Sequence, residues 1–274
     1  MPEPAVVQTP RVIAIANQKG GVGKTTTAMN LAAALAERGA RILVLDLDPQ
    51  GNASTGLGID ASARHRTTYD LISQGISIRE VAQRTSTDGV WLCPATTDLS
   101  SIDMELGVSS GRSGRLAAAL DRRALADLGF DMVLIDCPPS LSLLTVNAMV
   151  AADSVLVPLQ AEFFALEGLS QLMLTVREVR TNANPRLRIE GIVLTMYDGR
   201  NKLSQLVEHD ARETLGDLVF RTVVPRNVRV SEAPSYALPV LAYDSASRGA
   251  QAYRALADEI LARHAVANQR EERA

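Results

Sequence analysis

QKGGVGKTTTAMN, residues 18–30, is the stretch that decides the fold. It nearly matches the phosphate-binding pattern G-x-x-x-x-G-K-[ST], but Gln18 replaces the first glycine and a second lysine, Lys19, follows it. RVIAIAN precedes this stretch and predicts a strand, and residues 25–38 have the apolar spacing of a helix that ends at Gly39. A glycine-rich turn between a strand and a helix directs backbone N–H groups at phosphate oxygens. The sequence therefore predicts a phosphate loop.

The two lysines of this loop are expected to have different roles. Lys24 fits the lysine that reaches the β- and γ-phosphates, and the Thr25 hydroxyl fits a Mg²⁺ ligand. Lys19 comes at the start of the loop, so its side chain should project from the rim toward whatever closes the site, either a second subunit or only solvent. The predicted nucleotide-binding residues of the loop are Lys19, Gly20, Gly21, Val22, Gly23, Lys24, Thr25 and Thr26.

Short β-branched runs alternate with longer stretches of helical periodicity along the rest of the chain. This alternation predicts an α/β fold with a mostly parallel twisted sheet flanked by helices on both faces. Strands are predicted at residues 11–17, 41–46, 90–94, 132–136, 154–158, 189–196 and 218–224, and helices near 25–38, 112–126, 143–152, 166–182, 203–215 and 249–263. We expect one domain over residues 11–264, flexible tails at 1–10 and 265–274, and a long surface loop at 51–66.

Composition limits the possible environments of the protein. The chain has 274 residues, 46% of them hydrophobic and 22% charged, as in ordinary globular proteins. There is no secretory signal pattern and no apolar run of roughly 18 residues, so we expect a cytoplasmic protein without a membrane span. Cys93 and Cys137 lie far apart without a C-x-x-C motif, which favours buried thiols in a reducing compartment.

Three aspartates lie near the predicted ends of strands. Asp46 and Asp48 end the second strand, and Asp136 ends the apolar run MVLI. A carboxylate beside a triphosphate is repelled unless a cation or a water proton occupies it, although solvated acids at a strand end are an alternative. Asp136 fits an acid that holds Mg²⁺ through water. Pro138 and Pro139 should stiffen the turn that follows it.

Several segments together resemble one protein family. KGGVGKTT, LVLDLDPQGNAS and VLIDCPPS resemble the deviant Walker-A P-loop ATPases, and specifically the ParA/Soj chromosome- and plasmid-partitioning proteins. PLQAEFFALEGL, LTMYDGRNKL and VVPRNVRVSEAPS are similar to the same family, and the resemblance runs over about residues 11–263. It implies a weak Mg²⁺-dependent ATPase. It also implies that Lys19 crosses an ATP-sandwiched homodimer to the partner's phosphates, that Asp48 positions the attacking water, and that Asp46 lies near Mg²⁺.

The same resemblance suggests an adenine site. Met196, Pro225 and Asn227 match positions that surround the base in this family. An asparagine side chain can both donate to and accept from an adenine edge, although Asn227 could equally be a turn residue beside Pro225.

A DNA-binding face is expected after the later strands. The candidates are Arg200, Lys202, Arg226 and Arg229, which we expect in loops that follow strands. Arginine forks suit DNA phosphates and bind them without reading sequence, although scattered surface arginines are usually only solvated. The resemblance assigns non-specific DNA binding to Arg200 and Arg229. The formal net charge of −3 argues against bulk attraction to DNA, but residues 177–229 carry ten Lys and Arg against seven Asp and Glu.

The expected function is an ATP-dependent dimerisation switch. By resemblance, the ATP-bound dimer holds double-stranded DNA at the nucleoid, and a ParB-like partner stimulates hydrolysis to drive segregation. Only ten residues precede the first strand, so the repressor activity of larger plasmid ParA proteins is not expected.

Three other functions are weighed against this one. A MinD-like membrane ATPase needs an amphipathic C-terminal helix, but YRALADEILARHAVANQREERA has no bulky aromatic face. An iron–sulfur carrier needs cysteines placed to bridge a dimer. A non-enzymatic DNA-binding protein predicts no dependence on ATP.

Overall fold

An eight-stranded sheet forms the centre of the computed structural model, which describes residues 9–107, 109–162 and 165–271. The strands are β1 (Arg11–Ile15), β2 (Ile42–Asp46), β3 (Gln83–Arg84), β4 (Val90–Cys93), β5 (Met132–Asp136), β6 (Ser154–Gln160), β7 (Arg188–Tyr197) and β8 (Val219–Pro225). Their order is β3-β4-β2-β5-β1-β6-β7-β8, and all neighbours are parallel except β3 and β4. The predicted α/β fold with a mostly parallel sheet is confirmed.

Helices cover both faces of this sheet. They are α1 (Lys24–Ala36), α2 (Asn52–Gly56), α3 (Thr68–Gln74), α4 (Ile78–Val81), α5 (Ile102–Leu106), α6 (Arg115–Ala119), α7 (Arg122–Asp127), α8 (Leu143–Ala151), α9 (Ala165–Asn182), α10 (Lys202–Leu215), α11 (Val228–Glu232), α12 (Val240–Tyr243) and α13 (Arg248–Glu271). Side chains alternate along β1, so Ile13 and Ile15 pack in the core under α1 and α13, and Val12 and Ala14 pack in the core under α8 and α9. Strands buried on both faces must be apolar throughout, which is why the central strands have no polar alternation.

The prediction of a long surface loop at residues 51–66 is only partly correct, because more than half of these residues are exposed but the segment is not a loop throughout. This segment contains α2 and a short 3₁₀ turn at residues 61–63, and Ala53, Ser54 and Leu57 are buried. The Arg64 guanidinium fastens the segment by donating to the carbonyls of Ile59 and Ala95. Most of the polar side chains are exposed, as their composition suggested, but Ser54 is buried together with the apolar residues.

Two other boundaries differ from the prediction. The single helix expected at residues 112–126 is divided into α6 and α7, because Leu120 leaves the helical region at φ −86° and ψ 62° and the Asp121 side chain caps α7. Helix α13 continues to Glu271, beyond its predicted end at residue 263 and through most of the predicted C-terminal tail. Residues 1–8 and 272–274 of the two predicted tails lie outside the described residues. Among the residues that are described, no helix is long and apolar enough to cross a bilayer.

A buried polar cluster joins α13 to the sheet. The Glu190 carboxylate on β7 lies 2.8 Å from His264 Nε2 on α13 and accepts a 2.5 Å hydrogen bond from the Ser154 hydroxyl on β6. Burial alone raises the pKa of Glu190, but the hydrogen bond and charge of His264 and the Ser154 hydroxyl hold this pKa below its ordinary value. The cluster therefore stabilises an ionised carboxylate inside the protein.

His264→Leu should leave the buried Glu190 carboxylate without its main partner. We expect the free energy of unfolding at pH 7 to fall by about 1–3 kcal/mol. A depressed folded pKa stabilises the protein above the ordinary value of 4.5, and this contribution is lost as the pH falls through the folded pKa. The difference between wild type and variant, measured by urea unfolding, should therefore shrink near pH 4. The Glu190→Gln/His264→Leu double variant is the control and should regain part of the loss; an equal loss at both pH values would contradict this account.

Candidate nucleotide site

The phosphate loop connects β1 to α1, as predicted. Gly21 (φ 74°) and Gly23 (φ 86°) adopt left-handed backbone conformations, which explains why glycine is needed at both positions. Gly23 is the N-cap residue of α1 and offers no side chain to cap the helix. The first N–H groups of α1 are therefore available to an anion, with the positive end of the helix dipole behind them.

Lys24 is buried at the first position of α1. Its side chain is 6% exposed, and its Nζ donates a 3.0 Å hydrogen bond to the backbone carbonyl of Lys19. Burial lowers the pKa of Lys24, although the nearby Asp136, Cys137 and Asp48 oppose this shift. No carboxylate among the described residues forms an ion pair with Lys24, so this charge is positioned for an anion that the loop would bind.

Two residues that were not identified from the sequence brace the loop. Asn17 donates through Nδ2 to the Pro158 carbonyl at 2.8 Å and accepts the Lys19 N–H at 3.1 Å. The Thr195 hydroxyl on β7 donates to the Val22 carbonyl at 2.8 Å. The position of Asn17 directly after the first strand was a weak signal, but Thr195 carries none.

Asp136 is the buried carboxylate of the site. It ends β5 beside Lys24, and neither of its oxygens has a hydrogen-bond partner among the described residues. The Thr25 side chain is near enough to favour the charged form but forms no hydrogen bond with either oxygen. Burial, followed by the charge of Asp46, raises the pKa of Asp136 well above its usual range. A buried carboxylate without a partner beside a threonine hydroxyl fits Mg²⁺, which prefers oxygen ligands and keeps several waters.

Asp46 is paired with Asp136 across the neighbouring strands β2 and β5, but its oxygens are occupied. Oδ2 accepts hydrogen bonds from the Ser54 N–H at 2.8 Å and the Ser54 hydroxyl at 2.6 Å, and Oδ1 accepts the Asp48 N–H at 3.1 Å. Burial raises the pKa of Asp46 to about 6, against the lowering effect of these hydrogen bonds. Asp46 therefore anchors α2 in this structure, and its expected position near Mg²⁺ stays a prediction.

Asp48 lies just beyond β2 and is 8% exposed. Its Oδ1 accepts the Gln50 N–H at 3.0 Å, and its Oδ2 has no hydrogen bond among the residues that the structure describes. Its charge acts on both Lys24 and Asp136. The structure thus brings Lys24, Asp48 and Asp136 together, although the sequence separates Asp136 from the others by more than 80 positions.

Lys19 lies on the wall of an open cleft of about 560 Å³. Its side chain is 42% exposed, and its Nζ forms a 3.0 Å ion pair with Glu162, which follows β6. Lys19 and Lys24 therefore point to different places: Lys24 to the inside of the loop and Lys19 to the rim. Glu162 lies within the segment PLQAEFFALEGL but was not recognised as a partner of Lys19.

The predicted adenine residues are only partly brought together. Met196 lines the cleft and has a positive φ of 50°, an uncommon conformation for a residue other than glycine. Pro225 and Asn227 are not among the residues that line it. Asn227 is the N-cap of α11, where its Oδ1 accepts the Arg229 N–H at 2.9 Å. This is the turn role considered for Asn227 from the sequence, and its contact with adenine stays a prediction.

Known proteins share this architecture. A family model described as an AAA domain matches residues 10–189. The chromosome partitioning protein ParA of Caulobacter vibrioides is 56% identical over 253 residues, which are 92% of this chain and 94% of that protein. The chromosome-partitioning ATPase Soj of Thermus thermophilus is 52% identical, over 92% of this chain and 96% of that protein. The chain belongs to the ParA/Soj family of chromosome-partitioning ATPases.

A solved structure extends this comparison to the nucleotide. Cobyrinic acid a,c-diamide synthase from Mycobacterium smegmatis, with bound ADP and magnesium, superimposes with a TM-score of 0.77 at 38% identity. The match covers 92% of the ParA/Soj-family chain and 94% of the synthase. A related protein thus holds ADP and magnesium on the same fold.

The four DNA-binding candidates of this ParA/Soj chain have different surroundings. Arg200, in the turn after β7, has a 93% exposed side chain and pairs with Asp198 at 3.2 Å. Arg226 follows β8 and lines the same cleft as Lys19. The expectation that all four lie in loops is wrong for Lys202, the first residue of α10, and for Arg229, which lies in α11. Loop and helix were hard to distinguish in the sequence, because an N-cap asparagine and the start of a helix follow both β7 and β8 within a few residues.

Arg229 is partly neutralised by its own subunit. Its guanidinium forms ion pairs with Glu232 at 3.0 Å and Asp244 at 3.3 Å, and the side chain stays 54% exposed. These contacts orient the arginine at the surface, near the carboxyl end of β8. DNA binding by Arg200, Lys202, Arg226 and Arg229 stays a prediction.

Both cysteines of this ParA/Soj chain are buried and free. Burial raises the pKa of the Cys93 and Cys137 thiols, which keeps them protonated. Neither thiol reaches the surface, so neither is placed to share a metal cluster with a second subunit. The iron–sulfur alternative therefore has no support at these positions.

Proposed function

We propose that this ParA/Soj ATPase is an ATP-dependent dimerisation switch that binds DNA without reading its sequence. In this proposal ATP and Mg²⁺ join two subunits, the dimer holds DNA, and hydrolysis releases it, so that a chromosome or plasmid is segregated. One observation carries the proposal: a single loop bears a buried lysine directed inward and a half-exposed lysine directed at the rim.

The first supporting argument concerns the charge of a triphosphate. Lys24 and the N-terminus of α1 can neutralise the side of the nucleotide that faces the loop. Lys19, at the rim, is not committed to that side and can act on phosphates bound by a second subunit, as an arginine finger acts in trans. Two copies of the chain would then complete each other's sites.

The second argument concerns hydrolysis. Asp136 and the Thr25 hydroxyl would hold Mg²⁺, which would neutralise charge on the phosphates when bound. Asp48, with one oxygen that accepts no hydrogen bond from the described residues, would orient the attacking water. Because phosphoryl transfer depends mainly on positioning and charge neutralisation, these groups are enough for a slow ATPase.

The third argument concerns DNA. Arg200 and Arg229 follow the carboxyl ends of the adjacent strands β7 and β8, so a dimer would present two copies of each. Phosphate contacts release counterions, so doubling them makes affinity higher and more sensitive to salt. A monomer would therefore bind DNA weakly, which ties DNA binding to ATP.

A ParB-like partner would stimulate hydrolysis and return the dimer to monomers. This part of the proposal rests on family membership. We expect the ATP-bound dimer to associate with the nucleoid in the cytoplasm.

The direct test is sedimentation of the purified protein with ATP and Mg²⁺, with ADP, and without nucleotide. We expect a dimer only with ATP, and retention of non-specific duplex DNA only by that dimer. DNA binding that is independent of nucleotide would instead support a non-enzymatic DNA-binding protein.

Arg229→Glu should separate dimerisation from DNA binding. We expect normal ATP-induced dimers, with affinity for duplex DNA at least about tenfold lower and a smaller salt slope, because each dimer loses two phosphate contacts. DNA retention at two salt concentrations measures both quantities. Arg221→Glu is the matched control, since Arg221 is exposed near the opposite end of β8 and makes the same change in net charge. Unchanged retention by the Arg229→Glu dimer would remove Arg229 from the DNA-binding face.

A further inference from the structure

A second cleft lies at the other end of the sheet from the phosphate loop. Its volume is about 240 Å³, and its lining includes Arg41, Arg84, Asp88 and Trp91. Arg41 directly precedes β2, and the cleft also contacts the first residue of β4, so it faces the amino ends of these parallel strands. The phosphate loop follows the carboxyl end of β1. The second cleft is therefore separate from the nucleotide site.

Trp91 organises the cationic groups of this cleft. It lies on β4 opposite Leu43 of β2 and Arg84 of β3. The guanidinium carbons of Arg41 and Arg84 are each 5.0 Å from the indole centroid, which sets an upper limit of about 10 Å on the distance between them. Phe130 packs edge-on against Trp91 at 5.9 Å and fixes the ring from another side. Both arginines are thus held at the cleft by contact with one aromatic residue.

The charges of Arg41 and Arg84 are not paired within the described part of the chain. Neither guanidinium has a hydrogen bond or an ion pair there, whereas Arg38 pairs with Asp258 at 2.8 Å and Arg254 with Glu37 at 2.6 Å. The carboxylate of Asp131 is directed elsewhere, since it accepts the backbone N–H of Arg41 at 2.7 Å. Asp88 lines the cleft without forming an ion pair to either arginine. Because neither guanidinium is neutralised by an ion pair, an anion bound in the cleft would be attracted by both charges.

The geometry limits which anion can bind. Guanidinium groups are planar forks that bind phosphate oxygens in pairs, and stacking on an indole leaves their N–H edges free. The cleft is smaller than the roughly 300–1,000 Å³ of pockets that take drug-sized ligands. We propose that Arg41, Arg84 and Trp91 form a second anion site, which takes the phosphate or diphosphate group of a small molecule.

Trp91 provides a direct test, because it is the single tryptophan of the chain and its fluorescence reports on this cleft. Sodium diphosphate is titrated into the protein at constant ionic strength, with NaCl as the reference. We expect a saturable change in fluorescence that persists in Lys24→Ala, in which the phosphate loop is disabled. Arg84→Gln should raise the diphosphate concentration at half-saturation at least tenfold. The matched control Arg79→Gln, which replaces an exposed arginine on α4, should leave this concentration unchanged.

A second measurement guards against changes in the spectrum caused by the substitution itself. Diphosphate should raise the thermal unfolding temperature of Lys24→Ala but not of Lys24→Ala/Arg84→Gln, because binding to the folded state stabilises it. ADP is titrated in parallel with diphosphate. If both half-saturate the site at the same concentration, the site recognises the diphosphate group itself; if only ADP saturates it, the site recognises a phosphate ester.

Four results would overturn the proposal. The first is a fluorescence change that disappears in Lys24→Ala, and the second is a change no larger than that caused by NaCl. The third is an Arg84→Gln variant that half-saturates at the same diphosphate concentration as wild type. The fourth is a fluorescence change with duplex DNA but not with diphosphate. The proposal does not depend on dimerisation or on DNA binding, so it can fail or succeed independently of the proposed function.

Discussion

Asp48→Ala is expected to lower ATP turnover at least about 100-fold while the ATP-bound dimer persists. Removing a group that positions or deprotonates the nucleophile typically costs 10²–10⁴ in rate. Asp48 is buried beside Lys24 and Asp136, and among the described residues its side chain forms no hydrogen bond with the phosphate loop backbone or with Ser54. Its loss should therefore affect hydrolysis more than nucleotide binding.

The measurements for Asp48→Ala are phosphate release and sedimentation in ATP and Mg²⁺. Asp60→Ala is the control, since Asp60 is an exposed aspartate in the same segment after β2. We expect the control to behave as wild type and Asp48→Ala to accumulate as a dimer on DNA. Near-normal turnover would remove Asp48 from the hydrolytic step. An Asp48→Ala protein that sediments as a monomer when saturated with ATP and Mg²⁺ would contradict the proposed dimer.

Lys19→Ala is expected to bind ATP within a few-fold of wild type but to form no dimer. Lys24, which faces the inside of the loop, stays in place, so one subunit can still hold the nucleotide. Each dimer would lose two cations that act across the interface, and charges supplied in trans are worth 10³–10⁵ in turnover. Equilibrium ATP binding, sedimentation and phosphate release separate these effects.

Glu162→Gln should have the opposite effect on dimerisation, because it removes the ion-pair partner of Lys19 instead of Lys19 itself. In the isolated subunit Glu162 holds Lys19 at 3.0 Å, and this contact must break before Lys19 can reach another subunit. Exposed ion pairs contribute about 0.2–1 kcal/mol, so we expect half-maximal dimerisation at an ATP concentration up to about fivefold lower. A higher requirement for ATP would contradict this role and indicate that Glu162 contributes to the dimer contact itself.

The sequence predicted the centre of the fold because its signals are local. The apolar run of β1, the glycines at positions 21 and 23, and the periodicity of α1 are all present within one short stretch. Segment 51–66 was only partly predicted, for the opposite reason. Its polar residues suggest exposure, but the Ser54 hydroxyl is buried because it donates to Asp46.

The candidate site likewise contains residues that the sequence predicted and residues that it did not. Lys24, Asp48 and Asp136 were recognised from motifs, and the structure brings them together. Asn17, Thr195 and Glu162 were not, because each takes part in a contact between residues more than 140 positions apart: Asn17 with Pro158, Thr195 with Val22 and Glu162 with Lys19. Met196 could not be assigned a left-handed conformation, since nothing in its neighbouring sequence requires one.

The hydrogen bond from Lys24 Nζ to the carbonyl of Lys19 has a thermodynamic consequence. The ammonium group has three N–H donors, so it can bind a phosphate while it still holds this carbonyl, and it then connects the nucleotide to the main chain of the other lysine. By linkage, whatever favours this arrangement of the main chain must also tighten the hold on the nucleotide. Subunits that are both loaded should thus associate more readily than a loaded one with an empty one.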